Sequence, residues 1–278
     1  MGHMAHPFLR PESTAACLAF LRDDCAESTK SIEMGHTQRL PPYALSEDTF
    51  LCIHGVDAVF LTLKSGRYLA FEDSQHSGLD RLIHGWPLCS SSSDDAEPLT
   101  EAAAPDSVQA LLDAGLITPN PSSIAPHIPA LIPKTTDEWT ADTIAGRPRM
   151  GSRAYFGILR AVLAARLALK YRSLAQITLA LRRRKTTLAA QVQCDVNRTA
   201  HLSLVFDYLR PYVLSAVNAC LLDSITLLNF LALYQIYPDL VFGVRTRPFI
   251  AHCWVQYNHI VLNDTVERVC RFTPILSI

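Results

Sequence analysis

Residues 215–265, SAVNACLLDSITLLNFLALYQIYPDLVFGVRTRPFIAHCWVQYNHIVLNDT, decide the reading of this chain. An apolar, helix-like segment opens beside Cys220, a β-prone run carries His252, and Asp264 follows twelve residues later. Cys, His and Asp in that order make up a thiol nucleophile, its base and the group that orients the base. A free thiol is mostly protonated at neutral pH and needs a lowered pKa to attack a carbonyl. If Ser215 or Asn218 caps the helix, Cys220 sits near its first turn. The helix dipole and unpaired N–H groups there favour a thiolate and a developing oxyanion.

Period-two alternation places His252, Trp254 and Gln256 on one face of a strand and Cys253, Val255 and Tyr257 on the other. Trp254 then stands beside the imidazole and lowers the local dielectric. Loop parity sets a condition on Asp264. A two-residue turn at Asn258-His259 puts Asp264 opposite His252, whereas a three-residue loop or a bulge puts both on one face. Each residue also has a plainer reading: a buried structural cysteine, a satisfied strand-end histidine and a loop carboxylate.

The bulk numbers bound the alternatives. At 278 residues the chain suits two domains, and 49% hydrophobic against 18% charged residues supplies packed cores. Lys+Arg 25 against Asp+Glu 26 gives no global pull on nucleic acid or an anionic membrane, so neither is an expected partner. The eight cysteines form no CxxC pair and no dense disulfide pattern, which points to a reducing, cytoplasmic setting with free thiols. Cys253 and Cys270 lack the close ligand spacing of a zinc site, so no metal is expected. The N-terminus reads as having no signal peptide, and polar residues interrupt Val213–Tyr237, favouring a buried helix over a membrane span.

Along the chain, residues 1–40 comprise a tag-like Met-Gly-His-Met and an extension with one possible helix, Thr14–Asp24, and receive no function. Phe50–His54, Ala58–Leu63 and Arg67–Phe71 read as strands joined by hairpin loops, Gly55-Val-Asp57 and Lys64-Ser-Gly66. Helices are predicted at Ser74–His84 and Val108–Ala114, separated by a Ser-rich acidic loop, Ser90–Glu97. Residues 41–118 thus form a small winged-helix-type α+β module. Prolines make 119–150 an extended linker. Residues 151–278 open with helices Ala154–Tyr171, Leu174–Arg184 and Arg198–Tyr208. The first has Ile158, Leu159, Val162, Leu163, Ala165 and Leu169 as its apolar stripe. Strand-like runs at Leu240–Val244, His252–Tyr257, Ile260–Leu262 and Val269–Phe272 close an α+β domain.

The string Cys220-Leu-Leu-Asp-Ser…Phe242-Gly-Val…Arg-Pro-Phe-Ile-Ala-His252-Cys-Trp254-Val…Leu-Asn-Asp264 resembles the B protein of lasso-peptide biosynthesis. The resemblance covers about 150–278 and implies a transglutaminase-like, papain-related cysteine protease domain with Cys220, His252 and Asp264 as its triad. Independently, Leu40-Pro-Pro-Tyr…Phe50…Ala58-Val-Phe-Leu…Gly66-Arg-Tyr68-Leu…Phe71 is similar to the PqqD-like element that binds a precursor's leader peptide as an added strand. That likeness implies a leader groove at Arg67, Tyr68, Leu69 and Phe71, faced by Val108, Leu111 and Leu112. Trp254 would lie near the active site. The implied partners are the precursor peptide and an ATP-dependent cyclase that consumes the freed core. No cofactor is implied for the peptidase itself, and any ATP dependence would come through the cyclase. The chain departs from the pattern at Gln256, where an acidic residue is usual, and at Asn258-His259, where His259 becomes a rival base.

Two other functions fit parts of the sequence: an acyltransferase of the transglutaminase or arylamine acetyltransferase type, and a non-catalytic leader-binding chaperone. The basic run Arg182–Lys185 reads as a solvated helix end, with a contact for ATP, the precursor or the cyclase as its second reading.

Overall fold

In chain order, the computed structural model has strands β1 (Tyr43–Leu45), β2 (Thr49–His54), β3 (Asp57–Thr62) and β4 (Arg67–Phe71), then helix α1 (Leu79–Leu82) and β5 (Ile83–His84). Helix α2 (Ala104–Asp113), β6 (Ile117–Thr118) and β7 (Asp137–Glu138) follow. Four longer helices come next: α3 (Ser152–Tyr171), α4 (Leu174–Leu188), α5 (Val196–Val213) and α6 (Cys220–Ala232). The chain ends with β8 (Asp239–Arg245), β9 (Ile250–Tyr257), β10 (Ile260–Val261), α7 (Val266–Val269) and β11 (Thr273–Ser277). The structure describes residues 43–72, 79–84, 86–87, 104–119, 137–138, 151–188, 196–214 and 220–278. The expectations for residues 1–40, for the Ser90–Glu97 loop and for a cap at Ser215 or Asn218 lie outside them.

Strand order in the main sheet is β11-β8-β9-β10-β7, antiparallel except for β10 with β7. A central strand buried on both sides explains the apolar content of β9. Its Cys253 and Val255 enter the main core, while Trp254 joins Val241, Val261 and Val269 in a smaller cluster on the other face. Helix α6 is apolar nearly all round and is buried from Asp223 to Leu228, as such a helix must be. Among the described residues no helix is long and apolar enough to cross a membrane.

Three differences from the expected elements have local causes. Ile83–His84 leaves the predicted helix to pair in parallel with Tyr43–Ala44. Residues 266–269 form a helix rather than the start of a strand, because Thr265 caps them by accepting from the Arg268 N–H. The final strand therefore shifts to Thr273–Ser277. On α3 the buried face is Ala154, Gly157, Ile158, Ala161, Val162 and Ala165, so Leu159 and Leu163 of the predicted stripe point outward. Small residues let α3 approach α6 closely: a Cβ on Gly157 would meet Phe230 of α6 at 3.5 Å and Leu233, just past its end, at 3.2 Å. Inside the expected linker, β7 adds itself to the edge of the main sheet.

In the sheet β2-β3-β4, strands β2 and β3 are buried on both faces. Leu51, Ala58 and Phe60 pack with Leu79, Ile83, Val108 and Leu111. Phe50, Cys52, Val59, Leu61 and Leu63 pack into the same core as α3, α5, α6 and β9. Polar contacts tie the two parts further. Arg247 Nη2 donates to Asp57 Oδ1 at 3.1 Å, His54 Nδ1 and Thr273 Oγ1 are 2.8 Å apart, and the Ala175 N–H reaches the Leu63 carbonyl at 3.2 Å. The three-stranded sheet is thus one wall of the helical domain's core. A chain truncated to residues 119–278 is expected to lose cooperative unfolding and bind an apolar dye, measured by calorimetry and ANS fluorescence.

Gly243 lies opposite His252 in the β8–β9 ladder. A Cβ there would stand 2.8 Å from the Trp254 ring and 2.9 Å from Phe272 Cβ, so only glycine admits both rings beside the strand. Gly243→Ala is expected to cost about 1–3 kcal/mol of stability through overpacking, read from the denaturant midpoint.

Candidate active site

Cys220 is the first residue of α6, half-buried, at the positive end of the helix dipole. His252 is buried on β9, and Asp264 sits just past β10. His252 Nε2 and Asp264 Oδ2 are 2.5 Å apart. With Nε2 engaged by the carboxylate, Nδ1 is the nitrogen left to face Cys220, whose sulfur is hydrogen-bonded to the His252 side chain. Helix start, strand and loop therefore bring the three sequence-predicted residues together.

Loop parity is satisfied by neither expected route. The turn is the two-residue one, Asn258-His259, with Tyr257 paired to Ile260 and Asn258 at φ +55°. Regular strand pairing ends at Val261, one last ladder bond runs from the Leu262 N–H to the Val255 carbonyl at 2.9 Å, and the chain bends through residues 262–264. There Asn263 takes over a ladder bond with its side chain, Oδ1 accepting from the Val255 N–H at 2.8 Å. Its Nδ2 donates to Asp223 Oδ2 at 3.0 Å and to Ser224 Oγ at 3.1 Å, clamping the bend to α6. Released from the strand's alternation, Asp264 turns back onto the His252 face. Its other oxygen accepts the Thr265 N–H at 2.8 Å. Nothing in the residue pattern singled out Asn263, because a side chain replacing a backbone partner has no sequence signature.

The electrostatics polarise all three groups. The Cys220 thiol falls to about 4, first because the Cys253 side chain hydrogen-bonds to it, then against burial through bonds from His252 and from the Cys253 backbone. Burial pulls the His252 imidazole down, but the bonds to Asp264 and Cys220 outweigh it and raise it to about 9. Burial also works against the Asp264 carboxylate. The His252 bond, the Thr265 N–H and Arg268 hold it below its ordinary value all the same. Between pH 4 and 9 the pair is a thiolate and an imidazolium.

Cys253 is the second residue that sequence reasoning missed. Its hydrogen bond to Cys220 and its burial push its own thiol well above the usual range, so it stays protonated and serves as a donor. Its sulfur lies 3.9 Å from Ser224 Oγ. The adjacency of Cys253 to His252 was visible in the sequence, but its direction toward Cys220 depends on how α6 crosses β9.

An aromatic shell closes the far side. The Trp254 ring stacks on His252 at 6.1 Å and 28°, and Phe272 lies 5.0 Å from it. Trp254 is buried and bonds to Gln256 Oε1 at 3.1 Å, so it acts as a wall of the site and not as an exposed surface. Gln256 in turn donates to the Asn258 carbonyl at 2.6 Å, fastening the turn. Among the described residues no group of three His, Cys, Asp or Glu side chains is placed to hold a metal ion.

The predicted leader residues separate into two sets. Arg67 and Leu69 are exposed on β4, an edge strand that among the described residues pairs with β3 alone. Tyr68 points inward to the shared core, 5.8 Å from Phe249 and near the Cys253 and Cys220 thiols. Burial and those thiols raise its phenol, so it keeps its proton. Phe71 packs edge-on against Phe60, and Val108 and Leu111 are buried, so these three are spent on the module's own core. Leu112 is partly exposed.

Thiol alkylation tests the ion pair. The rate with iodoacetamide is expected to rise through about pH 4 and to be already fast at pH 6, far below an ordinary cysteine's range. Asp264→Asn removes a group that holds the imidazolium, so the upper limb of the profile should move down from about 9 toward the ordinary 6.5. An unmoved upper limb would mean that Asp264 does not act through His252.

Residues 159–277, which contain all three groups, match the family model described as the transglutaminase-like superfamily. That superfamily includes cysteine peptidases and acyltransferases. Neither the curated proteins nor the solved structures gave a match to this chain.

Proposed function

From a transglutaminase-like domain that builds a thiolate–imidazolium pair, we propose that this protein is a cysteine peptidase of the lasso-peptide B type, binding a peptide precursor and cleaving its leader from its core. One observation carries the reading: the sheet that ends in β4 and the Cys220 thiol share a single core, with Tyr68 of β4 and Cys220 both packed against it. A peptide added to the edge of β4 gains backbone hydrogen bonds there, with the exposed Arg67 and Leu69 side chains beside it. Held so, its scissile bond has a high local concentration at the thiol. This is the role expected of a PqqD-like module.

In the chemistry proposed, the Cys220 sulfur attacks the carbonyl carbon of the leader–core peptide bond. The oxyanion develops at the N-terminal end of α6, where the helix dipole favours it. His252 gives its Nδ1 proton to the departing amine, the C–N bond breaks, and the leader remains as a thioester on Cys220. His252, now neutral, takes a proton from water, which attacks the thioester. The leader leaves as a carboxylic acid, and the thiolate–imidazolium pair is restored. Asp264 holds the imidazole in the required tautomer throughout. Thiol, imidazole and water suffice, so the step needs no cofactor. The freed core amine then serves an ATP-dependent cyclase, in the cytoplasm where thiols stay reduced.

The test is incubation of the full chain with the precursor peptide encoded beside its gene, with products weighed by mass spectrometry. Wild type is expected to give leader acid and core amine, together heavier than the precursor by one water. Cys220→Ala is expected to bind the precursor without cutting it, and Asp264→Asn to cut about a hundredfold more slowly. Equal cleavage by wild type and Cys220→Ala would refute the proposal, as would binding by both with no cleavage by either. A leader joined to added hydroxylamine, with no acid formed, would assign acyl transfer instead.

A further inference from the structure

Residues 151–188, which form α3 and α4, carry nine Lys and Arg and no Asp or Glu, although the whole chain is nearly neutral. The outward face of α3 is apolar as well as basic. Phe156 is 73% exposed, Leu159 55%, Leu163 59% and Leu167 46%. At about 100° per residue these four fall within an arc of about 80°, with Arg166 on one side and Arg160 on the other. Single exposed leucines need no explanation, but a continuous stripe marks a surface that meets something.

The stripe borders a groove. One depression of about 470 Å³ is lined by Leu167 and Tyr171 of α3, Leu181 and Arg184 of α4, and Ile225 and Asn229 of α6. A second, of about 260 Å³, adjoins it, sharing Ala164, Arg184 and Asn229 and adding Arg160 and Leu188. At the waist between them Arg184 Nη1 donates to Asn229 Oδ1 at 3.2 Å, which fixes a guanidinium over an apolar floor. Arg172 stands at one end and Arg160 at the other. Lys185 is neutralised by Asp239, whereas Arg160, Arg172 and Arg184 have no carboxylate partner among the described residues.

We infer that the groove between α3, α4 and α6 is a docking site for an acidic, amphipathic helix of a partner protein. The elongated trough takes the apolar ridge of a helix, and the arginines along it meet carboxylates on the flanks. A second copy of this chain does not fit, because a two-fold contact would set this acid-free face against itself. A flat bilayer reaches the α3 stripe but leaves the recessed floor, Ile225 and Asn229, unfilled. The site is separate from the thiol chemistry, so it stands or falls independently of the peptidase reading.

The probe is a fluorescein-labelled, 18-residue helical peptide with leucines on one face and glutamates flanking them, titrated with the full chain and followed by anisotropy. Saturable binding is expected, weakening as salt rises. Arg160→Glu/Arg172→Glu should weaken it about tenfold or more, and Ala164→Trp, which plugs the shared part of the trough without changing charge, should do the same. Both variants should keep the wild-type iodoacetamide rate at Cys220, which certifies the fold. Unchanged affinity in either variant overturns the inference, and so does equal binding of a peptide carrying lysines for the glutamates. Flotation with vesicles of 70% phosphatidylcholine and 30% phosphatidylglycerol, undisturbed by the peptide, would assign the face to a membrane. Binding that emerges only when residues 90–97 are replaced by Gly-Ser repeats would assign the groove to the chain's own acidic insert.

Discussion

A thiolate and an imidazolium half-enclosed by apolar side chains need compensation, since charged groups removed from water cost several kcal/mol each unless paired and hydrogen-bonded. The Asp264–His252 bond is where this chain provides it, and much of the C-terminal architecture keeps that bond in place. Asn263 ends the β10 ladder early so that Asp264 escapes the strand's alternation. Thr265 caps α7 and donates its N–H to Asp264. Gly243 leaves room for Trp254 and Phe272, whose rings both lie against the imidazole. Each of these residues acts on the carboxylate–imidazole geometry without touching the reacting sulfur.

On the sulfur side the compensation comes from the other face of β9. Cys253 gives a thiol proton and a backbone N–H to Cys220. Asp223, tied to Arg210 at 2.8 Å and to Asn263, anchors the first turn of α6. The two arms of the site thus meet at Asn263, which links the helix that carries the nucleophile to the loop that carries the orienting acid. Substitution there would leave buried donors and acceptors unpaired at about 1–3 kcal/mol each.

The same economy governs the relation between the two halves of the chain. Where β2 and β3 spend both faces on packing, the sheet has its edges to offer a ligand, and β4 is an edge strand that among the described residues pairs with β3 alone. Because one face of that sheet belongs to the core around α6 and β9, whatever is added to its edge is positioned relative to Cys220 by packing. A flexible tether between independent bodies would not fix it in that way.

The residue pattern by itself determined most of the elements: the β2–β4 hairpins, the long helices, the buried α6 and the alternation of β9 follow from local periodicity and turn residues. It also picked out Cys220, His252 and Asp264 by type and order. Long-range packing decided the rest, because it depends on partners that no local window contains. Val108, Leu111 and Phe71 were legible as apolar, but their commitment to the module's core was not. Leu159 and Leu163 fit an inward stripe until small residues at 154, 157 and 161 gave α3 a tighter face to bury. Parity arithmetic for Asp264 assumed a strand that continued, and a side chain, Asn263, ended it. The chemical toolkit is a property of the sequence. Its alignment is a property of the fold, since only the crossing of α6 over β9 brings a helix start, a strand and a bend to one point.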